Sequence, residues 1–298
     1  MITFPIKNLF IEGPDCSGKT TLIRNIHNQT GYRWHIFDRS QISRSIFCKL
    51  YGREIDNISL DLHDEMSNLN NRFIILLPKF DVIAERFRVR GDEFHKDLES
   101  VESVYNAFCN QRENLNKFPN IRFYNTNVIV NDLTLSLQES ESCSLDDISE
   151  MIKDFVRVSP NRESYPLSFT IYDDGEFKDA DSSILDFEHE KEYYDMVRTS
   201  LLRKIDMELD GDNEYSRVED LKSRRFVYSD SSCISFIQVA IRDGIMDFHC
   251  VIRSSDVENI FPHDLRFLYF LSSECFKKLG GAKRVRMRFN LNSAHIIG

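Results

Sequence analysis

The chain lacks a long apolar run, a secretory leader and any closely spaced cysteine pair. No stretch approaches the roughly 18 uninterrupted apolar residues that a bilayer-spanning helix needs. Met1-Ile2-Thr3-Phe4-Pro5 leads almost directly into an apolar strand pattern, so no signal peptide fits. The seven cysteines are scattered and odd in number, with no C-x-x-C, which reads as reduced thiols in a cytosol-like compartment. Positive charge is also short: 38 Lys and Arg against 48 Asp and Glu leave a formal net charge of −10. That balance argues against a surface that coats nucleic acid, though a local basic cleft remains compatible with it. What is present suffices for real cores. The 298 residues are 41% hydrophobic, and the length suggests two domains.

One stretch organises the first half. Leu9-Phe10-Ile11 reads as a strand and Thr21-Leu22-Ile23-Arg24-Asn25-Ile26 as a helix. Between them lies Gly13-Pro14-Asp15-Cys16-Ser17-Gly18-Lys19-Thr20, a complete G-x-x-x-x-G-K-T. Its glycines allow backbone amides to close around a phosphate chain, and the opening helix turns its positive end on the same anion. Residues 13–21 are thus candidates to hold a nucleotide, with Lys19 on the outer phosphates and the Thr20 hydroxyl on Mg²⁺. Cys16, inside the loop, is either a thiol whose pKa nearby positive charge lowers or a small filler.

A short strand at Trp34-His35-Ile36-Phe37 runs into Asp38-Arg39-Ser40, where open α/β sheets place ligand contacts. His35 reads as a core histidine. Ile55 to Asn71 has a helical pattern, and Phe73 to Leu77 reads as a buried strand. Val82 to Gly91 reads as a helix stopped by glycine, with Arg86 and Arg90 one turn apart. Residues 94–116 read as a helix, Ile121 to Tyr124 and Val128 to Val130 as strands, and Ser144 as the cap of a helix to Val156. Strands alternating with helices imply a parallel sheet covered on both sides.

With those motifs in place, residues 6–157 resemble the thymidylate kinase and deoxynucleoside kinase group. The likeness implies that Asp15 seats the acceptor sugar and that Asp38 and Arg39 contact acceptor or phosphate. It also implies that Arg86, Arg88 or Arg90 neutralises charge during transfer, with ATP and Mg²⁺ as donor and cofactor. The stretch between the loop helix and Asp38-Arg39 is much shorter than in thymidylate kinases, which leaves the acceptor open.

The second half turns β-rich from Arg217, with a hairpin at Arg242-Asp243-Gly244 and a helix over 264–279. From Ser223 onward it resembles thymidylate synthase and deoxycytidylate hydroxymethylase, through Cys233, Gln238, Asp243-Gly244, Arg253-Ser254-x-Asp256, Pro262 and Ala294-His295-Ile296. The resemblance implies a nucleotide phosphate site on Arg253 and Ser254, with Arg224 and Arg225 from a dimer mate. It implies that His295 belongs to the same site and that Asp264 reads the base, suiting cytosine. The chain departs from that pattern at Ile234 for histidine and Ile297 for tyrosine. The family's upstream glutamate is missing, and the chain ends at Gly298, before a folate-closing segment. Cys233 then reads as a buried structural thiol or as a nucleophile without its acid–base partners.

The expected architecture is therefore α/β. A P-loop kinase domain at 1–158 with a parallel sheet flanked by helices is followed by a linker at 159–166 and a smaller α+β domain at 167–298. The expected function is phosphoryl transfer from ATP to a deoxynucleoside or deoxynucleoside monophosphate, in a cytoplasmic homodimer joined through the second domain. A modified-DNA acceptor stays open. Two pyrimidine-nucleotide folds in one chain imply pyrimidine deoxynucleotide metabolism, as in a virus that makes modified DNA in host cytoplasm. The alternatives are a bifunctional kinase and C5 transferase, and a non-catalytic nucleotide-binding scaffold.

Overall fold

The computed structural model describes residues 1–53, 58–92, 94–125, 129–164, 166–209 and 226–297. The chain divides into two compact units, Ile6–Glu141 and Met1–Pro5 with Ser142–Gly298. The first strand, β1 (Ile2–Thr3), belongs to the second unit, where it pairs antiparallel with a later strand.

Ile6–Glu141 is a parallel sheet between helices. β2 (Asn8–Glu12) is followed by α1 (Lys19–Thr30), β3 (His35–Asp38), α2 (Gln41–Leu50) and α3 (Ile58–Ser67). Then come β4 (Asn71–Leu76), α4 (Phe80–Arg90), α5 (Leu98–Leu115), β5 (Ile121–Tyr124) and α6 (Val130–Glu139). The strand order is β3-β2-β4-β5, all parallel. A strand covered on both faces must be apolar throughout, and Leu9, Phe10 and Ile11 of β2 are all buried. Leu9, Ile11, Ile74 and Leu76 pack against Leu22 and Ile26 of α1 and Leu133 and Leu137 of α6. On the other face Phe10 stacks on Phe73 at 4.9 Å and on Phe37 at 5.2 Å. That face carries α2, on which α5 packs.

Several local expectations need correction. His35 is exposed at the edge of the sheet rather than in a core. Val130 opens α6, because residues 129 and 130 enter helical pairing instead of a ladder, and Val128 lies outside the described residues. The helix expected from residue 94 begins at Leu98, because the Asp97 carboxylate caps it by accepting from Ser100 N–H at 2.7 Å.

The second unit is mostly antiparallel. α7 (Leu145–Val158) opens with a capping box between Ser144 and Asp147 and buries Leu145, Ile148, Ile152 and Phe155 at helical spacing. Next come β6 (Glu163–Ser164), β7 (Leu167–Asp173), α8 (Lys191–Leu209), β8 (Phe226–Ser229), β9 (Ile234–Arg242) and β10 (Ile245–Ile252). β11 (Ser255–Asp256), α9 (Phe261–Leu279), β12 (Arg284–Leu291) and β13 (Ala294–His295) complete the unit. The main sheet runs β1-β7-β12-β10-β9-β8, antiparallel except for β10 and β12, which α9 connects as a crossover. α9 is buried around most of its circumference, with Phe261 edge-on to Phe169 of β7. Within the stretch expected as a linker, two residues are strand. Glu163 and Ser164 pair with His295 and Ala294, and the division by contacts falls between Glu141 and Ser142. The second unit is the longer of the two in sequence. Among the described residues no helix is long and apolar enough to cross a membrane.

Candidate functional site

Gly13 leaves β2 with φ 137° and Gly18 ends the loop with φ 104°. A Cβ on Gly13 would lie 2.3 Å from the Leu76 carbonyl oxygen, so only glycine fits between the loop and β4. No side chain caps the first turn of α1, which leaves its N–H groups facing outward for an anion. The Lys19 ammonium donates to the Gly13 carbonyl at 2.9 Å and the Pro14 carbonyl at 3.0 Å. Two of its three protons are thus engaged and one is left for a ligand. Burial, and then the Arg39 charge, hold its pKa below the ordinary lysine value. Burial also pushes the Cys16 thiol up, with Asp92 adding to it, so the loop does not make a thiolate of it.

Glu12, fully buried at the end of β2, accepts from the backbone and hydroxyl groups of Ser40 and Ser43. Burial raises its pKa while those four donors oppose the rise. The carboxylate pins the β3–α2 turn and so sets the direction of Asp38 and Arg39. Arg39 takes φ 78°, donates its own N–H to the Ile11 carbonyl at 3.0 Å and lays its guanidinium over Phe47 at 4.8 Å. One of its nitrogens pairs with Asp15, whose other oxygen meets His95 Nε2 at 3.2 Å. Arg39 Nη1 and Ser17 Oγ are buried with no hydrogen-bond partner, as donor and acceptor groups awaiting a ligand would be.

α4 contributes from above. Arg86 Nη1 donates to the Cys16 carbonyl at 3.2 Å and the Ser17 carbonyl at 2.9 Å, bracing the loop. Arg90, one turn on, lines two cavities, while Arg88 is exposed and lines neither. The first cavity, about 660 Å³, has apolar walls from Leu22, Leu76, Pro78, Val82, Val89 and Val130. The second, about 590 Å³, is lined by Asp15, Lys19, Thr20, Asp38, Arg39, Asp92 and Phe94. Cys16, Gly18, Thr21 and Arg90 border both, so the cavities meet at the loop.

The residues singled out in the second unit are arranged differently. Cys233 is exposed and its carbonyl accepts from Arg253 N–H at 2.7 Å. Its thiol pKa is raised, by partial burial first and Asp264 next, against an opposing Arg253 charge. Ser254 Oγ lies 3.4 Å from His295 Nδ1, so Cys233, Arg253, Ser254 and His295 share one edge of the unit. Asp264 faces inward instead. It is 1% exposed and accepts from the Tyr194 hydroxyl at 2.9 Å and the Ser255 hydroxyl at 3.2 Å. Burial pushes its pKa up to about 7. Arg224 and Arg225 lie outside the described residues.

His95 and Phe94 had drawn no notice in the sequence, where they fall inside an expected helix. The one signal was an Asp-x-x-His just past the glycine stop, too common a pattern to single out.

No protein-family profile matches the chain, and neither does any curated protein. Among solved structures it is similar to a deoxyadenosine kinase from M. mycoides, at 14% identity and a TM-score of 0.34. That match covers 47% of this chain and 99% of the kinase. It is also similar to the thermostable thymidylate synthase A from Bacillus subtilis, at 17% identity and a TM-score of 0.26, over 31% of this chain. The chain spans only about a third of that synthase (35%). Each likeness covers part of the chain.

Proposed function

We propose that the chain is an ATP-dependent phosphotransferase whose acceptor is a deoxynucleoside or a deoxynucleoside monophosphate. The observation that carries this reading is the pair of cavities meeting at a loop with a buried lysine, two glycine turns and an uncapped helix start. Two reactants approaching one phosphate cradle from opposite sides is the geometry that in-line transfer requires. The loop amides and Lys19 would hold the donor's β- and γ-phosphates, and Arg90 would offset charge where the cavities join.

The donor set is compatible with Mg²⁺. The Thr20 hydroxyl opens the helix at the cavity, and the described residues contain no cluster of three metal-ligating side chains. Thr20 would hold the ion, which would screen phosphate charge there. With a deoxynucleoside as acceptor Asp38 would take the hydroxyl proton, while Arg39, fixed by Asp15 and Phe47, would orient either acceptor.

In the second unit we assign Arg253, Ser254 and His295, together with Arg224 and Arg225 of a second copy, to a nucleotide phosphate. We assign no C5 transfer to Cys233, since Ile234 and Ile297 stand where the resembled family carries its acid–base histidine and tyrosine. The face of the six-stranded sheet away from α9 presents Ser168, Tyr172, His249 and Phe236, all half-buried, and we propose it as a two-fold interface. Light scattering on the full chain tests that: a monomer at micromolar concentration removes the interface. For the activity, labelled ATP is offered with deoxynucleosides, their monophosphates and modified DNA. Transfer to one of them that Lys19→Ala abolishes is expected. Absence of transfer to all of them would overturn the reading.

A further inference from the structure

Phe94 is 84% exposed, yet it lines the second cavity, whose other walls are charged, small or backbone. A phenyl ring left in water at the mouth of a charged cavity has unspent stacking surface. It is held there rather than folded away. The Asp92 carboxylate accepts from the backbone N–H groups of both Phe94, at 2.9 Å, and His95, at 3.1 Å. The His95 ring, 6% exposed, is anchored on Asp15 at 3.2 Å, the same carboxylate that pairs with Arg39. One chain of contacts thus links the guanidinium at the acceptor side to the backbone that presents the ring. Among the described lining residues no other aromatic side chain faces this cavity.

We propose that Phe94 is the face on which the acceptor's nucleobase stacks. The inference rests on the phosphotransferase reading and extends it: the acceptor carries a planar base, and the base lies at the mouth of the cavity. Stacking on an aromatic face is sequence-tolerant, because every base has a π-face.

The test uses the full chain and three proteins: wild type, Phe94→Ala and Phe94→Trp. Calorimetry is run with the four deoxynucleosides and their monophosphates in the presence of a non-hydrolysable ATP analogue, and with the analogue alone. Phe94→Ala should weaken the best acceptor by roughly 5- to 150-fold, the range one lost base–aromatic stack corresponds to, and leave the analogue's affinity unchanged. It should also leave 2-deoxyribose 5-phosphate, which has no base, unaffected. Trp34, the single tryptophan, is buried, so Phe94→Trp adds one exposed fluorophore. Its emission should be quenched by acceptor and not by the analogue. Acceptor binding equal in wild type and Phe94→Ala overturns the inference and leaves the phosphotransferase reading standing. Binding of the analogue with no acceptor also overturns the inference. Binding of neither removes both.

Discussion

Lys19 and Asp264 are both buried charged side chains, one in each unit, and they differ in what they face. Lys19 borders an open cavity, with two protons on loop carbonyls and a third unspent. Asp264 sits among packed helices and strands, with its oxygens taken by Tyr194 and Ser255. The first group is held for something that arrives. The second is satisfied inside the fold and pays for its burial with a carboxyl pKa of about 7. A buried charge marks a binding site when its surroundings leave capacity over, and a structural site when they do not.

The largest effect expected from that contrast is at Lys19. Lys19→Ala should lower phosphoryl transfer by roughly 10³-fold or more, because it removes the fixed charge on the outer phosphates. The thermal transition should change little, and a folded variant with near-normal turnover would erase the contrast.

Asp264 should show its effect in stability instead. Its folded pKa lies above the unfolded value near 3.8, so the native state binds the extra proton between about pH 4 and pH 7. Stability from this group is complete below about pH 4, falls as pH rises through 7, and is flat above. Wild type should therefore lose up to roughly 4 kcal/mol relative to Asp264→Asn across that window, read from urea unfolding at a series of pH values. Parallel curves for the two proteins would mean that burial does not raise the Asp264 pKa. Phosphoryl transfer by Asp264→Asn should match wild type.

Arg39→Ala sharpens the comparison within the first unit. Loss of the guanidinium should reduce acceptor affinity or turnover by roughly tenfold to a hundredfold, the scale of a charge-assisted contact. Affinity for ATP should stay within about twofold, because Arg39 lines only the second cavity. Equal losses on donor and acceptor would return Arg39 to a structural partner of Asp15. The smallest effect belongs to Cys233→Ser, which should leave transfer unchanged and yield no difference in product when deoxynucleotides are offered with methylenetetrahydrofolate. A C5-modified product from wild type that this variant loses would make the second unit catalytic.

Much of the first unit was legible without coordinates. The loop from Gly13 to Thr20 is local: its glycines, lysine and threonine fall within eight consecutive residues, so spacing alone specifies the strand–turn–helix they make. The uninterrupted apolar runs of β2 and β4 announced buried strands of a parallel sheet, and in the second unit Ser144 announced a helix start. What the sequence did not determine is which distant residues share a side chain's surroundings. Asp15 meets Arg39 and His95 across separations of 24 and 80 residues, and Glu141 closes on Arg33 and Trp34 from the far end of the same unit. Neither pairing has a period or a motif. A polar, proline-bearing stretch at 159–166 has a linker's composition, yet Ser164 pairs with Ala294 and Glu163 with His295, 130 and 132 positions away. Local propensity and spacing are properties of neighbours in the chain. Burial, pKa and partnership are properties of neighbours in space, and only the folded chain decides those.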